Sequence, residues 1–355
     1  MSASEGPSAT PPPAPAATRP RVDLLFAGEL YYDLVFAGLP GLPAPGREVF
    51  AESFAAVPGG TATRCVAAAR LGAPTAVLAS VGTDMFGERL HRDLGAEPRL
   101  DLRWLRRDPR RHTPITVAVT DRDDRSFISY HDGSPCGSEC PDAPPLPDAR
   151  LCHLGIADRL PNWAAAVRAR GTRLVGGVGW DASGRWSAEV LERLAEIDAF
   201  CPNEGEAMRY TRTGSAEEAA RALAARVPLV LVTRGERGVL AIDSAAGERA
   251  EVDGLRMPAV DPTGAGDVFI ASFLYAALRE EWSLTERLRF AVLCAGLSVC
   301  RLGGSSSAPT WQAIRAYLDS ARPEGYGFLS GTAAADAVVP PAAPSALPSG
   351  KDHPC

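Results

Sequence analysis

The chain has 355 residues, of which 46% are apolar and 23% are charged, and its formal net charge at pH 7 is −6. This composition is typical of a globular protein with a substantial core, and it excludes collagen, a coiled coil and a wholly disordered chain. The acidic balance argues against nucleic acid and anionic membrane surfaces as partners, and no run of about eighteen apolar residues predicts a membrane span.

The two ends of the chain differ in composition from the rest. Residues 1–20 and 330–355 are rich in Pro, Ala, Gly and Ser and lack apolar periodicity, which predicts disordered tails around a domain at residues 21–329. The N-terminal tail lacks the apolar stretch of a secretory signal, and the eight cysteines are scattered. Both features are typical of a cytoplasmic protein with reduced thiols.

Apolar runs alternate with helical patterns between the tails. Short apolar runs predict strands at residues 22–27, 75–81, 151–156, 173–178 and 229–233. Alanine-rich or amphipathic stretches predict helices at residues 61–71, 85–94, 163–170, 187–197 and 216–225. These repeated strand–helix–strand units predict an α/β fold in which helices cover both faces of a mostly parallel sheet.

Two β-rich segments, at about residues 33–57 and 113–130, interrupt this alternation. The first has no helical period, and the second predicts strands at residues 115–120 and 126–130 joined by a polar turn at residues 121–125. The segments form either a small separate sheet, placed as a lid over a cleft, or two ordinary surface hairpins.

The motif with the clearest chemistry is Asp-Pro-Thr-Gly-Ala-Gly-Asp, at residues 261–267. It follows a strand-like stretch at residues 251–260 and precedes an apolar helical run at residues 268–278. Small residues at Gly264, Ala265 and Gly266 allow a tight turn, and the amide groups at a helix N-terminus stabilise negative charge.

Asp267 falls in the first turn of the predicted helix, beside these amides. A carboxylate there can accept a proton from a hydroxyl group while the amides hold the charge of a moving phosphoryl group. The alternative for this motif alone is a structural corner in which Asp267 only complements the helix dipole.

The motifs, in their order and spacing, resemble the ribokinase-like (PfkB) family of sugar and nucleoside kinases over residues 21–318. The N-terminal pattern includes Gly28, Asp33 and the pair Gly59-Gly60, followed by Val81-Gly82-x-Asp84-x-x-Gly87. The central and C-terminal patterns are Pro202-Asn203-Glu204-Gly205-Glu206, Thr233-Arg234-Gly235-Glu236-Arg237-Gly238 and the motif at residues 261–267.

The resemblance implies a ribokinase-like three-layer sandwich and transfer of the ATP γ-phosphoryl group to a hydroxyl of a small sugar. The β-rich segments would be the lid, which closes over the sugar and can also mediate homodimers. Closure would exclude water and so prevent wasteful ATP hydrolysis.

The resemblance also implies roles for individual residues. Asp267 would be the catalytic base, with Gly264, Ala265 and Gly266 as its anion hole. The substrate would be bound by Asp33, Gly59 and Gly60, and the nucleotide by Asn203, Thr233, Gly235 and Gly238. Glu206 would organise Mg²⁺ with Asn203 through water, while Asp261 and Thr263 would belong to a K⁺ site that includes the loop at residues 303–307. Asn203 and Glu206 otherwise mark a helix N-terminus, and the segment at residues 233–238 is otherwise a turn between strands.

Arg64 departs from the family pattern, which has Asn at this position facing the sugar, and Tyr31 stands where Asn is frequent. A guanidinium there needs an anionic partner, either internal, with Asp33 or Glu29 as candidates, or an acidic group on the substrate. This departure from the family pattern leaves the identity of the substrate undetermined.

A nucleoside kinase of the same fold is one alternative function. A non-catalytic sugar or nucleotide sensor is another, but the intact Asp267 motif argues against it.

Overall fold

The computed structural model describes residues 19–120, 125–133 and 145–331. The strands are β1 (Arg21–Ala27), β2 (Leu30–Ala37), β3 (Ser53–Gly60), β4 (Thr75–Val81), β5 (Leu100–Asp101), β6 (Leu105–Arg107), β7 (Ile115–Thr120), β8 (Arg125–Tyr130), β9 (Asp148–Gly155), β10 (Arg173–Gly177), β11 (Ala199–Phe200), β12 (Leu229–Thr233), β13 (Val239–Asp243) and β14 (Glu248–Val252). The α-helices are α1 (Thr61–Arg70), α2 (Met85–Gly95), α3 (Asn162–Arg168), α4 (Glu189–Arg193), α5 (Glu204–Thr211), α6 (Ala216–Ala224), α7 (Ala265–Ala277), α8 (Leu284–Ser298) and α9 (Trp311–Ala321).

The larger sheet has the strand order β14-β13-β12-β11-β10-β9-β1-β4-β5, with β6 also paired to β4. From β12 to β5 the neighbouring strands are parallel, whereas β13 and β14 add an antiparallel edge. The predicted mostly parallel sheet is therefore confirmed, and the carboxyl ends of its parallel strands lie along one edge.

Helices cover both faces of this sheet. Alternate residues of β1 belong to two different apolar clusters: Leu24 and Phe26 pack with α1, α7 and α8, whereas Leu25 packs with α3 and α6. A strand buried on both faces reads as a continuous apolar run, which explains the pattern at residues 22–27. The three-layer sandwich predicted from the sequence is thus confirmed.

The two β-rich segments form one separate sheet with the order β3-β2-β7-β8. Strands β2 and β3 are antiparallel, with Asp33 opposite Val57, and β2 pairs in parallel with β7. The parallel pairing joins segments far apart in sequence, so the separate small sheet is confirmed and the reading as two independent hairpins is wrong. The predicted turn at residues 121–125 lies largely outside the described residues.

Two predicted elements differ from the structure. The strand predicted at residues 251–260 is wrong beyond Val252, because β14 is the edge of the sheet and Pro258 cannot donate to a ladder. The helix predicted at residues 187–197 is confined to α4 and a 3-10 turn at Leu194–Glu196. No helix in the described ranges is long and apolar enough to cross a bilayer.

Candidate active site

The glycine turn before α7 adopts a conformation that only glycine tolerates well. Gly264 has φ 75°, and a Cβ on it would lie 3.1 Å from Gly304 Cα and 3.2 Å from Thr63 Cγ2. The N–H of Ala265 donates to Pro262 O over 3.3 Å. No acceptor in the described part of the chain meets the N–H of Gly266. The start of α7 therefore presents amide donors close to the start of α1.

Asp267 occupies the first turn of α7, as the sequence predicts. Burial raises the pKa of its carboxyl group, and the charge of Arg64 acts in the opposite direction. A carboxylate that is difficult to keep ionised takes up a proton readily, which is the property that a general base needs.

Arg64 pairs with Asp267 itself. Its Nη2 lies 3.3 Å from Asp267 Oδ1, and both side chains are partly buried. Neither of the predicted internal partners is the one that the structure shows: Glu29 accepts a hydrogen bond from Tyr31 and pairs with Arg111, and Asp33 lies against Gly59. The sequence could not indicate this pair, because Arg64 and Asp267 meet only when α1 packs on α7.

Asp33 lies within β2, on the four-stranded sheet, and is only 8% exposed. Its carboxylate sits against the backbone of Gly59, where a Cβ would lie 2.0 Å from Asp33 Oδ2. Burial raises the pKa of Asp33 to about 7, and the charges of Asp267 and Asp261 add to this effect. The structure thus brings together Asp33 and Gly59, the second of which lies next to the last residue of β3.

The raised pKa of Asp33 makes stability depend on pH. Between about pH 4 and pH 7, Asp33 is ionised in the unfolded chain but protonated in the folded protein. The free energy of unfolding therefore falls as the pH rises through this range. Above pH 7 the total loss from this group is about 4 kcal/mol. We expect Asp33→Asn to raise Tm by several degrees at pH 8 and to change it little at pH 4. Calorimetry at both pH values, with Asp319→Asn on the exposed side of α9 as control, checks this. An equal Tm change at both pH values would contradict the assignment.

Asp261 connects the glycine motif to the loop at residues 303–307. It is 1% exposed, and its two carboxylate oxygens accept hydrogen bonds from Thr263 N at 2.9 Å and from Gly303 N at 2.8 Å. The hydroxyl oxygens of Thr263 and Ser305 are buried with no hydrogen-bond partner in the described segments. Unpaired oxygens of this kind are what a hard cation coordinates.

Asn203 and Glu206 form a capping box at the start of α5. Asn203 Oδ1 accepts a hydrogen bond from Glu206 N, and Glu206 Oε2 accepts one from Asn203 N, both at 2.9 Å. Burial raises the pKa of Glu206 to about 7, with a further contribution from the charge of Asp267. The helix-start reading of this motif therefore holds, and the charge of Asp267 acts on Glu206.

The segment at residues 233–238 is the connection between β12 and β13. Thr233 forms a parallel bridge with Asn203, so these two predicted nucleotide residues lie together. Gly235 and Gly238 have φ angles of 57° and 79°, and a Cβ on Gly238 would lie 2.0 Å from Val252 O. Both glycines are thus required by the backbone path itself.

His153 was not singled out from the sequence. It lies on β9 between Phe26 of β1 and Val175 of β10, is 2% exposed, and neither ring nitrogen has a hydrogen-bond partner within the described residues. Burial and the charge of Arg64 hold its pKa well below the usual range, so the ring is neutral. The available signal was a polar residue interrupting the apolar run at residues 151–156, near the carboxyl end of a strand.

Solved structures share this architecture, which is the ribokinase fold. An Escherichia coli protein assigned as ribokinase II, in complex with ATP and Mg²⁺, superposes with a TM-score of 0.70 at 22% identity, covering 84% of this chain and 99% of that one. Arabidopsis thaliana ribokinase, complexed with ribose and ATP, superposes with a TM-score of 0.66 at 24% identity, covering 84% and 98%.

Sequence comparison identifies the family. The model of the pfkB family of carbohydrate kinases matches residues 24–311, and the chain belongs to this family. The ribokinase of Haemophilus influenzae is 28% identical over 319 residues, which cover 85% of this chain and 100% of the relative. The expected resemblance is confirmed, and the chain is a carbohydrate kinase.

Proposed function

We propose that the protein transfers the γ-phosphoryl group of ATP to a hydroxyl of a small sugar or sugar derivative, with Asp267 as the base. The observation that carries this proposal is the position of Asp267 in the first turn of α7, beside the N–H of Gly266, which has no acceptor among the described residues. The relatives that bind ATP, Mg²⁺ or ribose support the same reaction class.

The proposed phosphoryl transfer uses the groups at the start of α7 and on the four-stranded sheet. Asp267 accepts the proton of the acceptor hydroxyl, whose oxygen forms a bond to the γ-phosphorus while the bond to ADP breaks. The amides of Gly264, Ala265 and Gly266 stabilise the negative charge on the moving phosphoryl group. Asp33, with the backbone at Gly59 and Gly60, holds sugar hydroxyls on the lid side of the cleft.

The nucleotide and its ions occupy the neighbouring side of the cleft. Asn203, Thr233, Gly235 and Gly238 line the nucleotide site, at the carboxyl ends of β11 and β12. Glu206 would hold Mg²⁺ through water, because Mg²⁺ dehydrates reluctantly, and the ion would offset the negative charge of the phosphates. K⁺ fits beside Asp261, where the hydroxyl oxygens of Thr263 and Ser305 lack partners.

The test is ADP release with Mg²⁺ and ATP over a panel of aldoses, ketoses, sugar acids and nucleosides. The proposal expects sugar-dependent ADP release and a phosphorylated sugar product by mass spectrometry. Phosphorylation of nucleosides alone would instead support the nucleoside kinase alternative.

The lid sheet also supports a homodimer. Its face opposite Asp33 carries Leu34, Phe36, Phe54 and Ile128, of which Phe54 is 57% and Ile128 69% exposed. An exposed apolar sheet face favours pairing with a second copy. We expect the wild type to be a dimer by analytical ultracentrifugation and Ile128→Glu to be a monomer. Val260→Glu, at an exposed apolar residue outside the lid, is the control and stays dimeric; a monomeric wild type would contradict the proposal.

A further inference from the structure

Arg64 has hydrogen-bonding capacity that the protein does not use. Its guanidinium approaches one oxygen of Asp267 at 3.3 Å, and its Nε is buried with no hydrogen-bond partner in the described residues. A guanidinium carries five N–H donors in a planar fork that matches a carboxylate at two points. The Nε–H of that fork is therefore a buried donor without an acceptor, which carries an energetic cost.

His153 is a second buried side chain whose polar atoms have no partner among the described residues, and the charge of Arg64 acts on it. Its ring lies over the backbone of Gly177, where a Cβ would be 2.7 Å from Nε2, so the ring fills the space at the carboxyl end of β10. The residues facing it on the same side of the sheet, Phe26 and Val175, are apolar. Buried polar atoms are normally paired, so the unpaired atoms of Arg64 and His153 indicate a ligand group that pairs with them.

The charges around the base favour one kind of ligand group. A neutral sugar brings only hydroxyls, for which Asp33 and the backbone at Gly59 already provide partners. A carboxylate matches the planar fork of Arg64 with two parallel hydrogen bonds. A dianionic phosphate group fits less well, because the like charges of Asp33, Glu206 and Asp261 couple to this site and repel each added negative charge.

On the basis of the proposed kinase function, we propose that the phosphoryl acceptor is a sugar acid whose carboxylate binds the guanidinium of Arg64 beside the His153 ring. The bound carboxylate shares the guanidinium with Asp267. It thereby weakens the hold of Arg64 on Asp267, which leaves that carboxylate a stronger base when the correct substrate is in place.

The test compares matched acceptors in the ADP-release assay. Each sugar acid is paired with a neutral sugar: ribonate with ribose, gluconate with glucose, and 2-ketogluconate with fructose. Two sugar phosphates, ribose 5-phosphate and fructose 6-phosphate, are assayed as well. We expect kcat/KM for at least one acid to exceed that of its neutral partner by about 10²-fold or more. Calorimetric titration of the same acids into the protein without ATP gives a readout that does not require turnover.

Variants of Arg64 assign the preference to this residue. Arg64→Asn, the residue of the family pattern, is expected to lower kcat/KM for the acid by about 10²-fold, mainly through KM, and to change that of the neutral sugar less than about tenfold. Arg64→Lys keeps the charge but loses the fork, so it should fall between the two. Arg92→Asn, at an arginine 66% exposed on α2, is the matched control and should keep the wild-type preference.

The possible results distinguish the sugar-acid inference from the proposed kinase reaction. A wild type that prefers neutral sugars or sugar phosphates, or an Arg64→Asn variant that loses acid and neutral sugar equally, overturns the sugar-acid inference and leaves the kinase proposal intact. Acid binding that depends on Arg64 in calorimetry, without phosphorylation of any sugar, supports the binding inference and refutes the proposed reaction.

Discussion

Asp267→Asn is expected to lower kcat by about 10²–10⁴, the usual effect of losing a general base. The amide of Asn has nearly the shape of the carboxylate but cannot accept the proton of the sugar hydroxyl. Substrate affinity should stay within a few-fold, because the backbone amides of α7 and the proposed substrate contacts at Asp33 are unchanged. Steady-state kinetics give kcat, and calorimetric titration with ATP and the sugar gives the affinities.

This experiment needs a folding measurement and a control variant. Asp267→Asn removes the charge that faces Arg64, so Tm is measured to separate lost catalysis from lost folding. Asp319→Asn, an exposed aspartate on α9, is the matched control and should keep wild-type kinetics. Wild-type turnover in a folded Asp267→Asn enzyme would refute the role of Asp267 as base.

Gly59→Ala is expected to lower kcat/KM for the sugar by about 10²-fold. The added Cβ would lie 2.0 Å from Asp33 Oδ2 and 2.2 Å from its Cγ, so the carboxylate has to move. A displacement of about 1 Å at a substrate-positioning group is enough for a loss of this size. The measurement is kcat/KM for the sugar together with the affinity for ATP. That affinity should hardly change, because Gly59 lies on the four-stranded sheet and the proposed nucleotide residues follow strands of the larger sheet.

Gly95→Ala is the matched control for this substitution. Gly95 lies in the last turn of α2, where a Cβ would meet only Leu102 Cδ1 at an ordinary 3.8 Å, so activity should be retained and stability should be equal or slightly higher. Full activity in Gly59→Ala would show that Asp33 does not need its position against Gly59.

The sequence by itself predicted most of the layered architecture. The strands at residues 22–27, 75–81 and 229–233 and the start of α7 are set by local features: continuous apolar runs, helical periodicity, and glycines that tolerate positive φ. The order of the motifs was sufficient for the family, because each motif is a short continuous segment. The position of Asp267 in a first helical turn is likewise local.

Tertiary structure alone decided which of these residues meet. The Arg64–Asp267 pair joins helices about two hundred residues apart in sequence, and its existence depends on how α1 packs against α7. The parallel pairing of β2 with β7 joined two segments into one small sheet, whereas the antiparallel pairing of β2 with β3 placed Asp33 against Gly59. The unused polar groups of Arg64 and His153 are likewise visible only in the folded protein. Local patterns specify backbone conformation, whereas burial, charge coupling and unsatisfied hydrogen bonds depend on distances between segments that the chain order does not determine.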